Sequence, residues 1–193
     1  MLCLYSRSGT HVDPPAHLFA DRTTLDALPI EQFADRALVI DCTHLAEGQA
    51  ITMKEVETAG LTHAENVDFL LFHLGWDKRW GTDSYFGDYP CIDDAVLDFI
   101  LRTDKKGIGF DVIGMDPITD ANLTRHKKLF CDHDIINIEN LCILDQCGSD
   151  LFCFFALPLK WKDARRCAVA FWADSVQRKG KRPKKIHKDF FGR

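Results

Sequence analysis

Apolar residues fall in short, dense blocks along this chain, and polar, glycine- or proline-marked breaks separate them. Ala37 to Cys42 and Val67 to Phe72 are runs of strand length with almost no polar interruption, as expected of strands buried on both faces. Met1 to Tyr5, Ile135 to Leu144, Leu151 to Leu159 and Cys167 to Trp172 read as further strands. Apolar positions at Ala95, Val96, Phe99 and Ile100 follow helical spacing and predict a helix over Asp93 to Thr103. A second helix is predicted from Thr52 to Ala59, ended by Gly60. A third starts at a cap on Thr119 or Asp120 and runs to about Leu129, carrying His126. Leu18 to Pro29 reads as a loop or short helix starting near Asp21 to Thr24. Helices alternate with strands, but strands also follow one another directly near the C-terminus. The fold class is therefore α/β, bordering on α+β, with a mixed sheet in a single domain.

The apolar pattern stops after Trp172. Arg178 to Lys185 is a basic run with no periodicity, so the chain divides into a domain over 1–172 and a basic, solvated C-terminal tail over 173–193. At 193 residues, 46% hydrophobic and 27% charged, the composition is that of one ordinary globular domain. A net charge of -5 argues against a general nucleic-acid binder. No apolar run approaches the roughly 20 residues that span a bilayer, and no signal peptide opens the chain, so a cytoplasmic protein is expected. The eight cysteines are scattered through apolar stretches and are expected as free thiols. Cys142, Cys147 and Cys153 cluster, but not with CxxC spacing, and they read as strand core and not as a thiolate metal site.

Candidate chemistry concentrates in Ser8-Gly9-Thr10-His11-Val12-Asp13-Pro14-Pro15-Ala16-His17. If Thr10 to Asp13 is extended, His11 and Asp13 share one face, offering one nitrogen and one oxygen to a divalent ion. Gly9 permits a close backbone approach, and the two prolines fix the direction in which the chain leaves toward His17. Glu139 lies inside the apolar run Ile135 to Leu141. A buried carboxylate there must be paired or bound to a cation, unless the strand alternates and leaves it at an edge. Gly75-Trp76-Asp77-Lys78-Arg79-Trp80-Gly81 is an aromatic, charged loop between elements, suited either to binding or to a satellite apolar cluster.

These segments together resemble the metal-dependent cyclase family, which includes bacterial kynurenine formamidases and isatin hydrolases. Gly9, Thr10, His11, Asp13, Pro15 and His17 match its His-x-Gly-Thr-His-x-Asp-x-Pro-x-His signature, and Arg7 stands where the signature has its first histidine. His126 with Leu129, followed by Ile136 to Leu141 around Glu139, resembles its second motif, with an interval one residue longer that makes His133 the substitute for His126. The resemblance covers about 170 residues and implies a swivelling β/β/α fold, in which family members carry another strand or two before Met1. It implies one divalent ion, zinc or manganese, on His11, Asp13, His126 and Glu139. His17 is then the general base or proton shuttle, with Trp76 and Trp80 as pocket wall. Arg7 cannot ligate a second ion, so it either supplies that ion's positive charge and orients substrate or marks a lapsed enzyme that retains the fold as a binding or interaction module. The implied reaction is hydrolysis of an amide, formamide, lactam or lactone in a small molecule, by a homodimer or higher homo-oligomer.

Overall fold

The two densest apolar runs lie side by side at the centre of the sheet. β1 is His11–Asp13, β2 Ala34–Asp41, β3 Ala50–Ile51 and β4 Phe69–His73, and β2 pairs in parallel with β4, setting Leu38 against Leu70 and Ile40 against Phe72. This computed structural model describes residues 9–174 and the backbone of 175 and 185–187. The expected strand at Met1 to Tyr5, Arg7, and most of the basic run Arg178 to Lys185 lie outside the described residues. β5 is Cys91–Ile92, β6 Gly107–Phe110, β7 Ile136–Glu139, β8 Phe152–Phe155, β9 Cys167–Ala168, β10 Trp172–Ser175 and β11 Lys185–His187. The main sheet has the order β11-β10-β8-β2-β4-β6-β7-β1-β9, and β3 pairs separately with β5. β2, β4, β6 and β7 run parallel, whereas the strands added at either side pair antiparallel. The mixed α/β sheet expected from the sequence is present.

The helices α1 (Met53–Asn66), α2 (Asp94–Arg102) and α3 (Thr124–Phe130) contribute Val56, Ala64, Val96, Phe99, Leu129 and Phe130 to one core with Ile40, Leu70, Phe72 and Phe110. A second core on the opposite face gathers Val12, Val39, Phe69, Ile138, Leu141 and Phe154. Thr52 and Glu55 form a capping box at the start of α1. The helix does not stop at Gly60 as the glycine suggested. Gly60 takes φ 110 and kinks the chain, and helical backbone resumes to bury Ala64. Three strands are shorter than expected, the run Leu151 to Leu159 giving only Phe152–Phe155. β7 ends at Glu139 because Asn140 and Ile143 adopt left-handed backbone (φ 55 and 56), and Cys167 to Trp172 splits between β9 and β10.

β6 passes closely between its neighbours because Gly107 lacks a side chain. A Cβ there would stand 2.6 Å from Phe69 Cε1 and 2.8 Å from Ile136 Cγ1. The Phe69 ring is fully buried and has no space to yield. Gly107→Ala is expected to destabilise the fold by about 1–3 kcal/mol through overpacking. Thermal unfolding reads this directly, and an unchanged midpoint would contradict the packing.

Candidate active site

Strand alternation builds the site. Across the β1–β7 pair, His11 stands opposite Glu139 and Asp13 opposite Asn137, so these four side chains share one face while Val12 and Ile138 enter the core behind them. The polar face lies on the helix-covered side of the sheet, and α3 brings His126 over it. Asp116 directs that helix: its carboxylate accepts the backbone N–H groups of Arg125 and His126 and also the His126 Nδ1–H. His126 Nε2 then lies 3.0 Å from Glu139 Oε1. Pro14 and Pro15 lead into a single 3-10 turn, Pro15–His17, which returns His17 over Asp13, with Nε2 3.7 Å from Asp13 Oδ2.

The ligand-capable atoms of His11, Asp13 and Glu139 all lie within 4.8 Å of one another, and all three residues are buried. No thiolate cluster among the described residues meets the same test. His11 Nδ1 sits 3.0 Å from the Gly9 carbonyl, which accepts its N–H and orients the ring with Nε2 toward the carboxylates. That nitrogen is buried 3.2 Å from Glu139 Oε2 and 3.8 Å from Asp13 Oδ2. Burial works to lower the His11 pKa, but contact with Glu139 and the Asp13 charge outweigh it and raise it, so the fold favours a proton or a cation at this nitrogen. His126 repeats the arrangement. Asp116 orients its Nδ1–H, as outer-shell carboxylates do for ligating histidines, and turns Nε2 toward Glu139. The donor set of imidazole nitrogens and carboxylate oxygens fits a divalent metal ion.

The electrostatics are those of a buried, charge-dense site. Burial and then the neighbouring Glu139 charge push Asp13 up to about 7. Burial also works to raise Glu139, but contacts with His11 and His126 outweigh it and hold the group at about 2. Burial works to lower His126, and hydrogen bonding to Asp116 and Glu139 overrides it, bringing the imidazole to about 9. In metal-free protein the depressed Glu139 contributes stability above its ordinary 4.5 and loses it as the pH falls toward 2. The raised His126 contributes fully below 6.5 and loses its contribution as the pH rises through about 9. Protonated Asp13 is favoured in the fold, so its contribution fades from 3.8 through about 7. The metal-free melting temperature is therefore expected to fall between about pH 6 and pH 9. Added zinc or manganese should oppose the fall, because ligands bind once deprotonated. A flat metal-free profile would contradict these environments.

Several site-building residues carried no clear signal in the sequence. Asn137 donates to Glu139 Oε1 at 2.8 Å, and its place two residues earlier on the same strand face was readable by alternation. Asn140 uses its left-handed turn to tie the two halves together: it accepts from Tyr85, donates to the Gly9 carbonyl, and its own carbonyl accepts from Thr10 Oγ1. Asp111 accepts the backbone N–H groups of Leu74, Gly75 and Trp76 and so pins the aromatic loop. Arg166, from an unremarkable basic pair, reaches both His17 and Asp13.

The aromatic loop divides. Trp76 is 3% exposed, within the core, and meets Tyr89 edge-on, whereas Trp80 is 56% exposed and packs edge-on against Tyr85. A cleft of about 170 Å³ opens onto the site, lined by His17, Tyr89, Ile113, Ile118, His126 and Glu139 among others. Trp76 adjoins it through Tyr89.

The Cyclase family model matches residues 1–117, and the chain belongs to this family. Among curated relatives, the kynurenine formamidase of Bacillus mycoides (strain KBAB4) is 31% identical over 164 residues, covering 84% of this chain and 73% of the relative. That of Bacillus anthracis is 30% identical over the same shares. Among solved structures, isatin hydrolase A from Labrenzia aggregata bound to benzyl benzoate superposes with a TM-score of 0.78 at 22% identity, covering 91% of this chain and 75% of that one. An isatin hydrolase bound to the product analogue thioisatinate gives 0.76 at 22% identity, covering 86% and 71%. The cyclase-family fold expected from the motifs is thus present.

Proposed function

We propose that this chain is a metal-dependent hydrolase of carbon–nitrogen bonds other than peptide bonds, acting on a formamide, amide or lactam in a small molecule and extending to lactones. The observation that carries the reading is the buried cluster of His11, Asp13 and Glu139, whose ligand-capable atoms all lie within 4.8 Å of one another. The kinship with kynurenine formamidases supports the reaction class. We assign one zinc or manganese ion to His11, Asp13, His126 and Glu139. Bound there, it would lower the pKa of a coordinated water and polarise the scissile carbonyl.

The protein's own residues do the rest. Asp116 holds the His126 ring by its Nδ1–H, and Asn137 fixes Glu139 Oε1. His17 borders the cleft and lies beside Asp13, so we assign it as the general base or proton shuttle that serves the attacking water. Ile113, Ile118 and Tyr89 offer apolar contact for the body of a planar substrate. Trp80, exposed near the site through Tyr85, is the aromatic we assign to substrate, and Trp76 supports the wall from behind. Phe155, Leu157, Leu159, Trp161 and Trp172 are large exposed apolar side chains that support self-association into a homo-oligomer. No described helix is long and apolar enough to cross a membrane.

A panel of aryl formamides, lactams and lactones, assayed with zinc- or manganese-loaded protein, tests the reading. Turnover of at least one carbon–nitrogen substrate is expected. Stoichiometric metal with no turnover on any member would favour the alternative, a binding module on a lapsed cyclase fold.

A further inference from the structure

β9 is only two residues long, but its register with β1 (His11 opposite Ala168, Val12 opposite Cys167) sets the preceding residue, Arg166, across from Asp13 and on the same face. Its guanidinium uses that position twice. Arg166 Nε donates to His17 Nδ1 at 2.7 Å and lies 3.4 Å from Asp13 Oδ1, while Nη2 lies against His17 Nε2. The Arg166 side chain is 23% exposed and that of Asp13 is 1% exposed. Asp13 Oδ2 faces the ligand side, toward His11, whereas Oδ1 has no hydrogen bond and finds its compensating charge in Arg166.

We propose that Arg166 is a positioning residue that couples the ligand Asp13 to the proton-transfer residue His17, an inference that rests on the hydrolytic reading above. A guanidinium offers donors only and is permanently charged, so it can grip an imidazole at whichever nitrogen lacks a proton and oppose a carboxylate without exchanging protons with either. Held on Oδ1, the Asp13 carboxylate cannot rotate, and Oδ2 stays aimed at the ligand cluster. Held along its ring edge, the His17 imidazole is fixed where it lines the cleft. Outer-shell partners of this kind set the affinity of the groups they orient.

Arg166→Ala, with Arg166→Lys as the conservative variant, tests the coupling by three readouts. By chelator competition, zinc affinity of the alanine variant is expected to fall roughly 10–100-fold. At saturating zinc, kcat should still be reduced, with KM changing less, and added guanidinium ion should restore part of both losses. In long-range proton–nitrogen spectra, the His17 ring resonances should shift on removal of Arg166 and return in part with guanidinium. Unchanged zinc affinity together with an unchanged His17 spectrum would overturn the proposal. Losses that neither guanidinium nor lysine relieves, accompanied by a lowered melting temperature, would overturn it too, because they mark a structural role alone. If no substrate is turned over but affinity and spectrum both respond, the coupling stands and the hydrolytic reading falls.

Discussion

Asp13→Asn abolishes metal uptake in this account while leaving the fold intact. The substitution keeps the shape of the side chain but removes one of the two carboxylates whose ligand oxygens lie within 4.8 Å of His11 Nε2. Loss of a charged direct ligand should exceed the roughly 10–100-fold that outer-shell changes cost in affinity. Stability should move the opposite way. Burial and Glu139 hold the Asp13 pKa at about 7, so at pH 8 the wild-type fold carries a carboxylate that it disfavours. Metal-free Asp13→Asn should therefore melt at or above the wild-type temperature at that pH, the usual opposition of stability and function at a charged site. Elemental analysis and thermal unfolding of the same samples check both halves. A variant that still retains one ion per chain would remove Asp13 from the ligand set.

His17→Ala should separate binding from turnover. His17 is absent from the triad of mutually close ligand atoms, yet it lines the cleft and approaches Asp13 at 3.7 Å. Its removal is expected to leave metal content unchanged and to lower kcat by roughly 100-fold or more, the scale of general acid–base catalysis. Parallel loss of metal and activity would instead identify His17 as a ligand.

Much of this site was legible because it is encoded by strand periodicity. His-x-Asp on an extended segment shares a face by geometry, and an ionisable residue within Ile-Asn-Ile-Glu stands out against an apolar strand. The central strands β2 and β4 were legible as continuous apolar runs for the same reason. Contacts made across long sequence separation were not. Arg166 reaches His17 across 149 positions, and nothing in the local pattern of Arg165-Arg166 distinguishes it from a solvated pair. Asn140 acts through a left-handed turn that a strand reading of Ile135 to Leu144 passes over. Asp111 and Asp116 owe their roles to backbone N–H groups, which sequence does not display. Gly60 shows the reverse error, in which a sound local signal for a helix end was overridden by burial of Ala64 in the following turn.

The central claim is that the His11–Asp13–Glu139 cluster, joined by His126, holds an ion on which hydrolysis depends. Titration of chelator-treated protein with zinc or manganese, following bound metal and aryl formamide turnover in the same samples, tests it most directly. The account predicts no turnover at the start, and turnover rising in proportion to bound ion until about one ion per chain is held. Turnover that persists in the metal-free protein, or a chain that takes up neither ion, would contradict it.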